Sequence, residues 1–84
     1  MDRAVVEETI KALVKLYEGN HLPKADFSLA QLEGLLAVKL GVDISQKQLT
    51  AAFGALGINR TSHRSWPHAA LHSALMRLSN PAAV

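Results

Sequence analysis

The stretch "SLAQLEGLLAVKLGVDISQKQLTAAFGALG", residues 28–57, carries the same helix-start signal twice. Ser28 is followed three positions later by Gln31, and Ser45 is followed three positions later by Gln48. This spacing is the capping-box pattern, in which each side chain bonds the backbone N–H of the other residue at a helix N-terminus. The stretch therefore predicts two successive helices.

Both of these helices are also expected to end on a glycine. Gly41 and Gly57 follow the last apolar residues of their runs, where a left-handed backbone conformation favours glycine. We predict helices over residues 29–40 and 46–56, joined by a short turn. The apolar residues that recur at helical spacing are Leu29, Leu32, Leu35, Leu36 and Leu40 in the first helix, and Leu49, Ala52, Phe53 and Leu56 in the second.

Two further helices are predicted to flank this pair. One covers residues 3–18, with Asp2 as its N-cap and Gly19 at its end. The other covers residues 66–79, because Pro67 is favoured in the first turn of a helix. The inward-facing stripe expected on this last helix consists of Ala70, Leu71, Ala74, Leu75 and Leu78.

The composition limits the fold classes and the cellular location to be expected for this chain. The chain has 84 residues, of which 49% are hydrophobic, which suffices for one small core. We predict an all-α fold, a compact four-helix domain over residues 1–84 with at most a short wing-like excursion after the third helix. Trp66, the only tryptophan, is expected in the core. The absence of cysteine excludes disulfides and cysteine-based zinc sites. The N-terminus is too acidic for a signal peptide and the apolar runs are too short for a membrane span, so we expect a cytoplasmic protein.

The charges are distributed unevenly along the chain. Residues 1–43 hold all seven acidic residues and five basic ones, a net charge of −2. Residues 44–84 hold no acidic residue, and their basic residues are Lys47, Arg60, Arg64 and Arg77. This asymmetry predicts one electropositive face. Chance in a short chain is the alternative explanation.

Residues 33–53, "EGLLAVKLGVDISQKQLTAAF", resemble the helix-turn-helix motif of DNA-binding domains. The small Ala37, Gly41 four positions later and an apolar residue directly after the glycine match the pattern of that motif. The compact form of the motif has buried apolar residues where this chain has Lys47 and Thr50. The resemblance therefore implies the longer turn found in winged-helix variants.

In winged-helix domains a small β-hairpin, the wing, follows the third helix and often carries bases that contact phosphates. The corresponding segment here, "INRTSHRS" at residues 58–65, is basic, but it is short and has no glycine to turn a hairpin. Taken over residues 29–64, the resemblance implies a third helix that enters the major groove of duplex DNA. The residues it implies for this contact are Gln46, Lys47 and Thr50 at the bases, and Arg60, His63 and Arg64 at the backbone.

The resemblance implies a small DNA-binding protein, such as a regulator of transcription or of a mobile element, that acts as a dimer. The alternative is a protein–protein interaction module with no nucleic-acid role. Small residues on the third helix would allow close packing with a partner, and apolar residues off the main faces would form a surface for a partner or a second copy. The small residues are Ala51, Ala52, Gly54 and Ala55, and the apolar ones are Val5, Val38, Val42, Ala69 and Met76.

Signals for other chemistry are weak. His68 and His72 lie four apart on the fourth helix, but a metal would need a third ligand such as His63 or His21, and no acidic residue follows Asp43. The serines lack a nucleophile-elbow motif, and the chain has no phosphate-cradling glycine loop. We therefore predict no metal, no cofactor, no small-molecule substrate and no enzymatic activity.

Overall fold

The computed structural model describes residues 1–80, which form four α-helices around one hydrophobic core. The helices are α1 (Arg3–Glu18), α2 (Leu29–Leu40), α3 (Gln46–Leu56) and α4 (His68–Ser79). Within residues 1–80 the only extended pairing consists of two isolated β-bridges. The prediction of an all-α four-helix fold is confirmed. The predicted domain of residues 1–84 includes residues 81–84, which lie outside the described range.

The first three helices begin at the predicted caps. The side chain of Asp2 accepts the N–H of Ala4 at 3.2 Å, and the side chain of Ser28 accepts the N–H of Gln31 at 3.1 Å. Within residues 1–80, the predicted capping box at α2 forms only by half, because the Gln31 side chain does not accept the N–H of Ser28. At α3 the full capping box is present. Ser45 Oγ accepts the N–H of Gln48 at 3.2 Å, while the Gln48 side chain accepts the N–H of Ser45 at 3.0 Å.

The glycines at the ends of α2 and α3 are required by the backbone. Gly41 has φ +67° and Gly57 has φ +74°, so both lie in the left-handed region that side chains disfavour. The N–H of Ile58 then donates to Phe53 O at 2.9 Å, and this bond folds the chain back onto α3. Local sequence alone therefore defines α2, α3 and the turn between them.

The predicted start of the fourth helix at residue 66 is wrong, since α4 begins at His68. Trp66 is extended and forms a β-bridge with Phe27, with N–H to O distances of 3.1 and 2.8 Å in the two directions. A residue that precedes proline is disfavoured in the helical region, and this rule acts on Trp66 because Pro67 follows it. Pro67 becomes the N-cap of α4 and has no side-chain acceptor to offer.

The missing cap of α4 comes from a distant loop. Asp26 Oδ1 accepts the N–H of His68 at 3.2 Å and lies 3.0 Å from Nδ1 of the same histidine. The hydrogen bond to the His68 side chain, followed by the bond to its backbone, holds the pKa of Asp26 below its ordinary value of 3.8. An ionised carboxylate is the form that best complements the positive end of a helix.

The core consists mainly of leucine side chains, which pack with the aromatic rings of Phe27, Phe53 and Trp66. Trp66 is 7% exposed, as expected for a core residue, and its ring centroid lies 4.8 Å from that of Phe53. Leu71 and Leu75 of α4 are buried, whereas Leu78, which was predicted to face inward, is 49% exposed. Leu78 lies instead at the surface beside α1. Ala70, also predicted in the inward stripe, is exposed.

Candidate nucleic-acid interface

The segment after α3 forms a single tight turn. The N–H of Thr61 donates to Ser65 O at 2.9 Å, and Ser62 and Ser65 form an isolated bridge. Arg60 Nη1 donates to His63 O at 3.4 Å across the same turn. The excursion after α3 is therefore a short turn and not a β-hairpin. This agrees with the prediction of at most a short wing-like excursion.

This turn faces the beginnings of two helices across an open groove of about 630 Å³, here called the cationic groove. The groove brings together five of the six residues predicted to bind nucleic acid: Gln46, Thr50, Arg60, His63 and Arg64. Its other lining residues are Ser28, Leu29 and Ala30 at the start of α2, and Trp66. Residues that are far apart in the sequence thus share one surface.

Two of the basic residues of the second half lie elsewhere. Lys47 is exposed in the first turn of α3, next to Gln46, but it does not line the cationic groove. Arg77 lies in the last turn of α4 and is also absent from the groove lining. The positive charges therefore converge only in part, at Arg60 and Arg64.

The electrostatics of the cationic groove favour anions. Its described lining includes two arginines and a histidine and no acidic residue. Both helices that reach it do so with their N-terminal ends: Leu29 is the first residue of α2 and Gln46 is the first residue of α3. The N-terminus of a helix carries partial positive charge and exposes N–H groups, so two such ends add to the field of the arginines.

Two of the predicted base-contacting side chains are engaged within the protein. Gln46 Nε2 donates to Glu33 Oε1 of α2 at 3.2 Å, and Thr50 Oγ1 donates to Gln46 O at 3.0 Å. Glu33 was not among the residues singled out from the sequence. Its contact depends on how α2 and α3 pack together, and the sequence pattern does not indicate which of their side chains meet.

The two histidines of α4, His68 and His72, do not line the cationic groove. Beyond its contact with Asp26, His68 shares a pocket of about 530 Å³ with His72, Tyr17 and Lys24. The rings of His72 and Tyr17 make an edge-on contact at 5.1 Å. No group of three or more potential metal ligands comes together within residues 1–80. These histidines have structural partners and are separate from the cationic groove.

The four helices of residues 1–80 are each too short or too polar to cross a membrane. Comparisons of the chain with known protein families, with curated proteins and with solved structures find no match.

Proposed function

We propose that this protein binds nucleic acid, with the sugar–phosphate backbone of one strand in the cationic groove. The observation that carries the proposal is the convergence of Arg60, His63 and Arg64 with the N-terminal ends of α2 and α3 on one open surface. Phosphate contacts from arginine and from helix N-termini supply most of the sequence-independent affinity for DNA. The cytoplasmic setting expected from the sequence belongs to the same proposal.

The composition of the groove suits a backbone strand. Arg60 and Arg64 on the turn are the phosphate ligands, since guanidinium groups bind phosphate in a bidentate way. Leu29 and Trp66 give the groove an apolar floor, against which a deoxyribose packs. With a strand in this place, the exposed N-terminal face of α3 that bears Gln46, Lys47 and Thr50 lies next to the bases.

The proposal assigns the helix-turn-helix role to α2 and α3, with α3 as the helix in the major groove. Two arginines and a histidine are few for tight binding by one copy of the chain, and a dimer doubles the number of contacts. A regulator of transcription or of a mobile element is the class of protein that such a dimer fits.

Titration of the wild-type protein with generic duplex DNA tests this function. We expect binding in about 20 mM salt and a loss of affinity of at least tenfold in about 150 mM salt, since each phosphate contact releases a counterion. Fluorescence of Trp66, the only tryptophan, gives the readout, because this residue lies on the groove floor. Absence of binding at low salt contradicts the proposal, and so does binding that is independent of salt.

A second candidate function, a protein–protein interaction, is favoured by a different surface. Leu78 is 49% exposed and, with Ile10 and Val14 of α1, lines an open apolar depression of about 400 Å³. Val38 on α2 is 79% exposed and stands apart from this depression. Apolar side chains that cluster at a surface are typical of contacts with a partner or a second copy.

The oligomeric state tests the second candidate. If the Leu78 surface joins two copies, sedimentation shows a wild-type dimer, Leu78→Gln shifts it to monomer, and the matched variant Val38→Gln stays dimeric. A wild-type protein that sediments as a monomer at every concentration, or a Leu78→Gln variant that remains dimeric, is incompatible with this surface as the dimer contact.

A further inference from the structure

The predicted base-reading face of α3 consists of Gln46, Lys47 and Thr50. Within residues 1–80, the bond between Glu33 and Gln46 is the one side-chain hydrogen bond from α2 to this face. Glu33 Oε1 accepts the Gln46 amide N–H at 3.2 Å, between residues 13 apart in the sequence. Glu33 is half-buried, whereas Gln46 is exposed. The contact therefore joins a partly shielded carboxylate to the first residue of α3.

The chemistry of this pair fixes which way the amide faces. An ionised carboxylate only accepts hydrogen bonds, whereas a glutamine amide has a donor end and an acceptor end. Only the NH₂ end of Gln46 can face Glu33 favourably, because turning the amide over would bring two acceptors together. The carbonyl oxygen and the second N–H of Gln46 then remain free to bond elsewhere.

The backbone from which the Gln46 side chain extends is also held. The preceding residue, Ser45, takes part in both bonds of the capping box. The carbonyl of Gln46 accepts the hydroxyl of Thr50 at 3.0 Å. With the backbone fixed from both sides, the remaining freedom of this residue lies in its own side-chain torsions, and Glu33 limits them.

We propose that Glu33 is a positioning residue for base recognition, which orients the amide of Gln46 so that it reads adenine. This inference rests on the proposed binding of duplex DNA. Adenine presents an acceptor and a donor side by side in the major groove, and a glutamine that offers its oxygen and one N–H matches both. Glu33 itself contacts no base.

The isosteric variant Glu33→Gln separates orientation from packing. A glutamine at this position preserves the size of the side chain and can still bond Gln46. It offers a donor as well as an acceptor, so it holds the Gln46 amide in either orientation. We expect this variant to fold normally, with unchanged helical circular dichroism, and to lose most of the base preference that depends on Gln46.

The experiment is selection of bound duplexes from a randomised pool, followed by affinity measurements on the preferred site and on its single-base variants. We expect the wild type to prefer adenine at one position by roughly tenfold, which a bidentate contact commonly provides. Gln46→Ala should remove this preference, and Glu33→Gln should reduce it to within about twofold. Asp43→Asn is the matched control, because it removes one negative charge from the turn before α3 and Asp43 does not bond Gln46.

The outcomes distinguish this inference from the function on which it rests. A wild type that binds no duplex overturns the proposed function, and the role of Glu33 with it. A wild type that binds without adenine preference overturns the role of Glu33 alone, as does a preference that survives Glu33→Gln. If Glu33→Gln and Asp43→Asn raise the affinity for all duplexes equally and leave the preference intact, Glu33 contributes charge only and the inference is wrong.

Discussion

At the scale of single residues, four of the five glycines of the chain divide into two kinds. Gly41 and Gly57 have positive φ, so their backbone conformation accounts for the absence of a side chain. Gly34 and Gly54 lie inside α2 and α3 with ordinary helical backbones, and a Cβ built on either meets no atom within 4 Å. Packing within residues 1–80 thus gives no reason for glycine at these two helical positions.

We expect Gly34→Ala and Gly54→Ala each to raise the free energy of unfolding by about 0.5–1 kcal/mol, because alanine loses less backbone entropy in a helix. Gly41→Ala and Gly57→Ala are the matched controls and should lower it by about 1 kcal/mol, since alanine is strained at positive φ. Urea unfolding followed by circular dichroism measures all four. A loss of stability in either helical variant would mean that a neighbouring group occupies the apparently open space.

The residue types in the sequence indicate the basic side chains that the cationic groove contains, but they do not indicate the hydrogen bonds among its residues. The basic character of Arg60 and Arg64 is evident in the sequence, and their position directly after α3 already places them near that helix. The bond between Gln46 and Glu33 depends on which side chains meet where α2 and α3 pack together, and the sequence pattern does not specify that pair. The helix-turn-helix resemblance placed Lys47 at the bases with Gln46 and Thr50. Lys47 does not line the groove that contains the other two, because adjacent positions on a helix point in different directions.

At the scale of secondary-structure elements, the bounds of a helix are predicted accurately when its capping residues lie close to it in the sequence. The helices α1 to α3 carry caps within a few residues of their ends, and their bounds agree with the prediction. The start of α4 depends on Phe27 and Asp26, and Asp26 lies 42 residues away from His68. Pro67 also disfavours a helical conformation at Trp66, so this local rule and the tertiary contacts both place the start of α4 after Trp66.

We expect Asp26→Ala to destabilise the protein at about pH 7, because it removes the cap of α4. The pKa of Asp26 is lowered in the folded state, so the stability from its ionised form is present above the unfolded value of 3.8 and is lost as the pH falls through the folded value. The gap in unfolding free energy between wild type and variant should therefore narrow at about pH 3.

Urea unfolding at both pH values measures this gap. Asp43→Ala serves as the control, because Asp43 is exposed and its side chain makes no hydrogen bond within residues 1–80. A variant as stable as the wild type at neutral pH, or a gap that is the same at both pH values, would show that Asp26 does not stabilise α4 through its charge.

At the scale of the whole molecule, the core and the proposed interface are continuous. Trp66 lines the cationic groove, and its ring packs on Phe53, which in turn contacts Phe27 at a centroid distance of 6.1 Å. The β-bridge between Phe27 and Trp66 fixes the chain directly after the basic turn. The arginines therefore extend from a short turn anchored at both ends, which limits the entropy lost on binding.

The most direct test of nucleic-acid binding in the cationic groove is the salt dependence of duplex binding by the double variant Arg60→Ala, Arg64→Ala. Two lost phosphate contacts should flatten the slope of log K against log salt by about 2, while Arg77→Ala, a change outside the groove, should leave the slope unaltered. Thermal unfolding confirms that all proteins are folded. A double variant whose slope equals that of the wild type would contradict the claim that the cationic groove holds a nucleic-acid backbone.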